Sequence, residues 1–222
     1  MPSDAGASFI ARRDVMIAPF GRPGTLQLPE GTKALVVFAH GSGSSRLSPR
    51  NRQVADALNA KGIGTFLFDL LTPVEERDRR NVFDIPFLAE RLAVTVRWLD
   101  RDENIRRLTL GLFGASTGAA AALVAATQLG NRVKAVVSRG GRPDLAIEAL
   151  LELRVPTLLI VGGDDTPVIA LNQSAFDKLG GPKSLMIVPG ASHLFSEPGA
   201  MEQVIALAAE WFADYLCTRA SG

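Results

Sequence analysis

The sequence predicts an α/β fold: a mostly parallel, doubly wound sheet with an N-terminal antiparallel hairpin and helices on both faces. Three observations carry this. Short, continuously apolar runs recur along the chain, as expected of strands covered on both faces. Stretches of helical periodicity separate them. A turn signal near the N-terminus joins two short strand-like segments instead of leading into a helix.

The hairpin is expected at Asp14–Ala18 and Thr25–Leu28, turning through Gly21-Arg22-Pro23-Gly24. Ala34–Ala39 is apolar throughout, and Gly64–Phe68, Leu108–Phe113, Val133–Val137, Thr157–Val161 and Ser184–Val188 repeat the theme. Helices are expected over Pro49–Ala60, Pro86–Leu99, Gly118–Leu129, Leu145–Leu153, Val168–Leu179 and Ala200–Leu216. The last is the clearest, because Val204, Leu207, Ala208, Trp211, Phe212, Tyr215 and Leu216 recur at helical spacing. The polar segment Thr72–Asp84 follows a strand end and reads as a loop bordering a site.

At 222 residues and 47% hydrophobic, the chain can bury one substantial core, so a single domain over residues 1–222 is expected. Lysine plus arginine (24) nearly balance aspartate plus glutamate (23), so no long-range field recruits nucleic acid or an anionic membrane. The single cysteine, Cys217, excludes an internal disulfide and fits a reducing compartment. Residues 1–6 lack the basic start and apolar stretch of a secretory signal, and no apolar run approaches the roughly 20 residues a membrane span needs. A cytoplasmic protein that spans no membrane is therefore expected. Oligomeric state leaves no signature in the sequence.

Chemistry concentrates at Gly114-Ala115-Ser116-Thr117-Gly118, between a strand-like run and a small-residue helix. A G-x-S-x-G pattern alone arises by chance in on the order of one chain in ten of this length, so its context decides its value. Strand, sharp turn and helix hold a central serine in strained geometry with its hydroxyl at the sheet edge, which makes Ser116 the candidate nucleophile. Serine needs a base, best a histidine oriented by a carboxylate. Of the two histidines, His193 follows the last strand and comes after Ser116 in sequence, as a base does in the order serine, acid, histidine. Its bland alternative is a satisfied loop histidine.

The acid is expected from Gly162-Gly163-Asp164-Asp165, at a strand end between the two. Asp165 is preferred and Asp164 is the alternate; either also suits a helix cap before Pro167. For the oxyanion, Thr117 N–H and a donor from the loop His40-Gly41-Ser42-Gly43 are expected, with Ser42 the choice. His40 then reads as structural, fixing that loop. Arginines after strand ends, Arg46 and Arg139 foremost and Arg142 beside them, can grip a carboxylate or phosphate in two parallel hydrogen bonds. Arg46 and Arg139 are therefore candidate substrate-binding residues favouring an anionic ester or lactone; solvated loop arginines are the bland alternative.

On His40-Gly41-Ser42-Gly43, Gly114 to Gly118, Gly162 to Asp165 and Gly190-Ala191-Ser192-His193, the chain resembles an α/β-hydrolase, most closely the dienelactone hydrolase-related branch. The resemblance covers nearly the whole chain. It implies an α/β-hydrolase fold without a large lid domain and a serine hydrolase of a small ester, lactone or thioester. No cofactor is implied. Dienelactone hydrolases proper use a cysteine nucleophile where this chain has Ser116, which argues against dienelactone itself as substrate.

Two alternatives belong to other classes. Dinucleotide binding is suggested by Gly41-x-Gly43 after a strand and by Asp69 at the next strand end, but Arg46 replaces the third glycine of that fingerprint. A noncatalytic hydrolase-fold binding module is the other. Two distant histidines and one remote cysteine form no metal-ligand spacing, so no metal is expected.

Overall fold

The structure, a computed structural model, describes residues 9–217. Its strands are β1 (Phe9–Ile17), β2 (Arg22–Pro29), β3 (Ala34–Ala39), β4 (Gly64–Phe68), β5 (Thr109–Ala115), β6 (Val133–Arg139), β7 (Thr157–Gly162) and β8 (Lys183–Val188). The helices are α1 (Pro49–Ala60), α2 (Pro73–Glu76), α3 (Arg79–Phe83), α4 (Ile85–Leu99), α5 (Glu103–Arg106), α6 (Thr117–Leu129), α7 (Ile147–Glu152), α8 (Thr166–Lys178) and α9 (Ala200–Phe212). All eight strands form one sheet in the order β1-β2-β4-β3-β5-β6-β7-β8. β1 pairs antiparallel with β2, and β2 antiparallel with β4; every later pairing is parallel.

β3 shows why its sequence is apolar at every position. Leu35, Val37 and Ala39 join the core on one face, with α4 and α6, while Ala34, Val36 and Phe38 join the other, with α1 and α9. The period of two thus sends alternate residues into two separate cores, and neither face meets water. α6 follows the same logic: Ala119 to Ala122 are fully buried, and only such small side chains let the helix lie close on the sheet under α4. No helix among the described residues is long and apolar enough to cross a membrane.

Four local expectations are corrected. The hairpin turns over residues 18–21, and Arg22 already belongs to β2. Thr72–Asp84 is not a loop but carries α2 and α3, because three cap signals recur in it. The Thr72 hydroxyl accepts from the Glu75 amide while Glu75 reaches back to the Thr72 amide; Asp78 caps α3 and Asp84 caps α4. The stretch from Leu145 splits into a 3₁₀ turn (Pro143–Ala146) and α7, and the C-terminal helix ends in a π turn at Ala213–Cys217.

Arg22 was expected in a turn and instead lies fully buried, where desolvation and the nearby Arg91 pull its guanidinium down to about 10. It donates to the Leu70 carbonyl (3.2 Å), the Arg91 carbonyl (3.4 Å) and Thr95 Oγ1 (3.0 Å), and its plane lies over Phe68. One side chain thereby ties the hairpin to the end of β4 and to α4. Arg22→Ala strands these acceptors and opens a cavity, so a loss of about 3 kcal/mol in unfolding free energy is expected from urea denaturation. A change below about 0.5 kcal/mol would remove this tie from the account.

Candidate active site

The site lies at the C-terminal edge of the parallel strands, where open α/β sheets bind ligands. β5 ends at Ala115, and Ser116 adopts φ +52° and ψ −121° before α6 begins. A non-glycine residue there is strained by about 1–3 kcal/mol, a cost borne only where the surroundings enforce it. They do so through hydrogen bonds: the Ser116 amide donates to the Arg139 carbonyl (3.2 Å), and its carbonyl accepts from the Ala119 and Arg142 amides.

Glycine is required on both sides of this turn. A Cβ on Gly114 would stand 2.4 Å from Ala119 Cα, and one on Gly118 would stand 2.3 Å from the Ala39 carbonyl oxygen. Ser116 occupies the cap position of α6, yet its hydroxyl makes no capping bond. The oxygen is left for other chemistry.

His193 sits in the loop between β8 and α9. Glu197 Oε2 accepts from the Ser192 amide (3.0 Å), Phe195 takes φ +53° with its ring buried, and the Asp164 amide donates to the Ala191 carbonyl (3.0 Å). These bonds fasten the histidine loop to the end of β7. There His193 Nδ1 lies 2.6 Å from Asp165 Oδ2. An ionised carboxylate only accepts, so Nδ1 carries the proton and Nε2 keeps its lone pair.

Of the two neighbouring acids, Asp165 and not Asp164 meets the imidazole. Asp165 stands at the cap position of α8 but makes no side-chain capping bond. Ser116, His193 and Arg139 line one open cavity of about 560 Å³, together with the glycine loop after β3 and the start of α1.

The other expected residues divide. His40 is buried with Nδ1 3.0 Å from the Gly41 carbonyl, while Nε2 accepts the Leu70 amide (3.0 Å). Both nitrogens are occupied in the neutral form, and burial pulls its pKa below the usual imidazole range. It therefore fixes the loop. Thr117 places its amide in the first turn of α6, as expected, with no protein acceptor among the described residues.

Ser42 requires a correction, because its amide already donates to Thr117 Oγ1 (3.0 Å). The next amide in the loop, Gly43 at φ +68°, has no acceptor among the described residues. Sequence reasoning missed it; the signal was the second glycine of Gly41-Ser42-Gly43, which frees the backbone to present that N–H.

Arg46 is also corrected. Its amide and guanidinium both bind Asp69 (2.7 and 2.8 Å), and it lines a separate cavity with Arg12 and Arg52. The same pairing takes the carboxylate that a dinucleotide ribose would need. Arg142 forms a two-pronged pair with Asp144 (2.9 and 2.7 Å). The segment 72–84 supplies no residue to the Ser116 cavity itself, but Glu76 and Val82 border the site from behind the glycine loop, in a small cavity shared with Gly43 and Thr117. No cluster of potential metal ligands occurs among the described residues.

Comparison with known proteins agrees with this geometry. Residues 32–206 match the family described as "Alpha/beta hydrolase domain". The crystal structure of a dienelactone hydrolase from Anabaena variabilis superposes with a TM-score of 0.90 at 51% identity, covering 95% of this chain and 99% of that one. The chain belongs to the α/β-hydrolase superfamily, in its dienelactone hydrolase-related branch.

Est1E from Butyrivibrio proteoclasticus shares the fold at a TM-score of 0.77 and 13% identity, over 93% of this chain and 99% of that one. Two curated Mycobacterium tuberculosis proteins are 56% identical over 203 residues, 91% of this chain, and their names provisionally call them phosphoribosyl transferases. The chain spans about half (46%) of the length of these curated relatives.

Proposed function

We propose that the protein is a serine hydrolase that cleaves carboxylic esters or lactones through an acyl-enzyme. The observation that carries this reading is the short His193–Asp165 bond beside a cavity that Ser116 also lines, with Ser116 held at an elbow that leaves its hydroxyl uncapped. In this reading Ser116 attacks the carbonyl and His193 Nε2 takes its proton. Asp165 keeps the imidazole in the tautomer that can do so.

The tetrahedral oxyanion falls to the Thr117 amide at the positive end of α6, joined by a loop amide, for which Gly43 is free where Ser42 is already bound to Thr117 Oγ1. Collapse expels the alcohol, protonated by His193, and water then releases the acyl group by the same steps. The open cavity favours small or exposed esters. The transferase name belongs to proteins of about twice this length, and it does not enter the reading of this chain.

The test is intact-mass analysis after a serine-reactive fluorophosphonate. One adduct per chain is expected; an unmodified protein under conditions that label a control esterase would count against the reading.

A further inference from the structure

Arg139 is the least ordinary residue of the cavity. It ends β6 opposite Ala115, so its backbone runs beside the nucleophile, yet only 8% of it is exposed. A guanidinium so placed normally has a carboxylate against it. Here the guanidinium's one hydrogen bond goes to the neutral Asn51 Oδ1 at 3.4 Å, its Nε is buried with no partner, and its carbon lies 5.9 Å from the centre of the Phe195 ring. Burial and the charge of Arg50 pull it down to about 10, which leaves it protonated at neutral pH.

Arg50 stands on the first turn of α1, half-buried, lining the same cavity and forming no ion pair among the described residues. No acidic residue lines this cavity, while Ser44, Ser45 and Ser48 add hydroxyls around it. A group of charge −2 settling between two unneutralised cations balances their combined charge and draws twice the attraction that a carboxylate of charge −1 draws from the same position. A tetrahedral phosphate also accepts bonds from several directions at once, as this wall supplies them.

We propose that Arg139 and Arg50 form a subsite for a phosphate dianion carried by the substrate, so that the cavity selects phosphate-bearing esters over neutral or carboxylate-bearing ones. This rests on the hydrolase reading for its catalytic consequence, but the subsite itself binds phosphate independently of it. Anchored there, the phosphate fixes the ester carbonyl over Ser116, and its binding energy is spent on orientation.

Two measurements keep these apart. The first compares kcat/KM at pH 8 for the 4-nitrophenyl esters of butanoic, butanedioic and 3-phosphonopropanoic acids, which carry a neutral, monoanionic and dianionic acyl group. The phosphonate is expected to lead both others by at least about tenfold, and Arg139→Gln and Arg50→Gln are each expected to cut that lead by about tenfold. Equal rates for all three esters, or a carboxylate that equals the phosphonate, would overturn the proposal while the hydrolase reading stands.

The second is calorimetric titration of Ser116→Ala with inorganic phosphate, and of the same protein carrying Arg139→Gln. Binding abolished by Arg139→Gln supports the subsite even if no ester is turned over. No binding, or binding indifferent to Arg139, overturns it.

Discussion

Ser116→Ala is expected to lower kcat for a carboxylic ester by about 10⁴-fold or more, with little change in the folded protein. The size follows from how the parts depend on one another. Without the hydroxyl there is nothing for His193 to deprotonate and no acyl-enzyme, so the oxyanion donors and the cavity alone remain, and these accelerate water attack only modestly. Stability should not fall, because the Ser116 hydroxyl caps nothing. Alanine at φ +52° bears much the same backbone strain that serine bears there. Steady-state kinetics beside thermal denaturation check both halves; a loss of activity accompanied by unfolding would say nothing for the hydroxyl.

Asp165→Asn should cost almost as much, about 10⁴-fold in kcat at neutral pH, for a different reason. Asparagine can occupy the same volume and still hydrogen-bond Nδ1, but it can present an N–H. Its amide then stabilises the tautomer with the proton on Nε2, the atom that must accept one from Ser116. The 2.6 Å bond from His193 Nδ1 to Asp165 Oδ2 is the geometry that makes this substitution damaging. Asp164→Asn is the internal control. That residue contributes its amide, not its carboxylate, to holding the histidine loop, so its kinetics should stay within about threefold of wild type. Equal losses from both variants would return the assignment of the acid to the open choice the sequence leaves.

The central strands were legible because they lie under helices on both sides, whereas β8, expected to be covered in the same way, is an edge strand with Met186 and Ile187 exposed. Ala34–Ala39 and Gly64–Phe68 have the bounds the apolar runs predict, since water meets neither face and no polar alternation blurs the ends. The segment 72–84 was misread because its polar content suggests a loop, although Thr72 and Asp78 each cap a short helix and Asp84 caps α4. Order along the chain was enough to nominate Ser116, Asp165 and His193. It could not show that Ser116 and Asp165, both at helix cap positions, would leave their side chains uncapped.

Long-range polar pairing was the part that sequence patterns could not reach. Arg46 looked like a ligand-facing arginine until Asp69, 23 positions away, was found to bind it. Ser42 lost its free amide to a hydroxyl 75 positions away in Thr117. Arg22 sat in a turn signal, and nothing local announces that its guanidinium is buried against β4 and α4. Arg139 alone of the expected arginines lines the cavity with Ser116, and it does so with an unforeseen neighbour, Arg50.

The central claim is that the Ser116 hydroxyl becomes the covalent nucleophile, and the direct measurement is the position of the fluorophosphonate adduct. Proteolysis and tandem mass spectrometry of the labelled protein should place the whole adduct on the peptide containing Ser116, and Ser116→Ala should take up none. An adduct that persists in Ser116→Ala, or that maps to another side chain, would contradict the account.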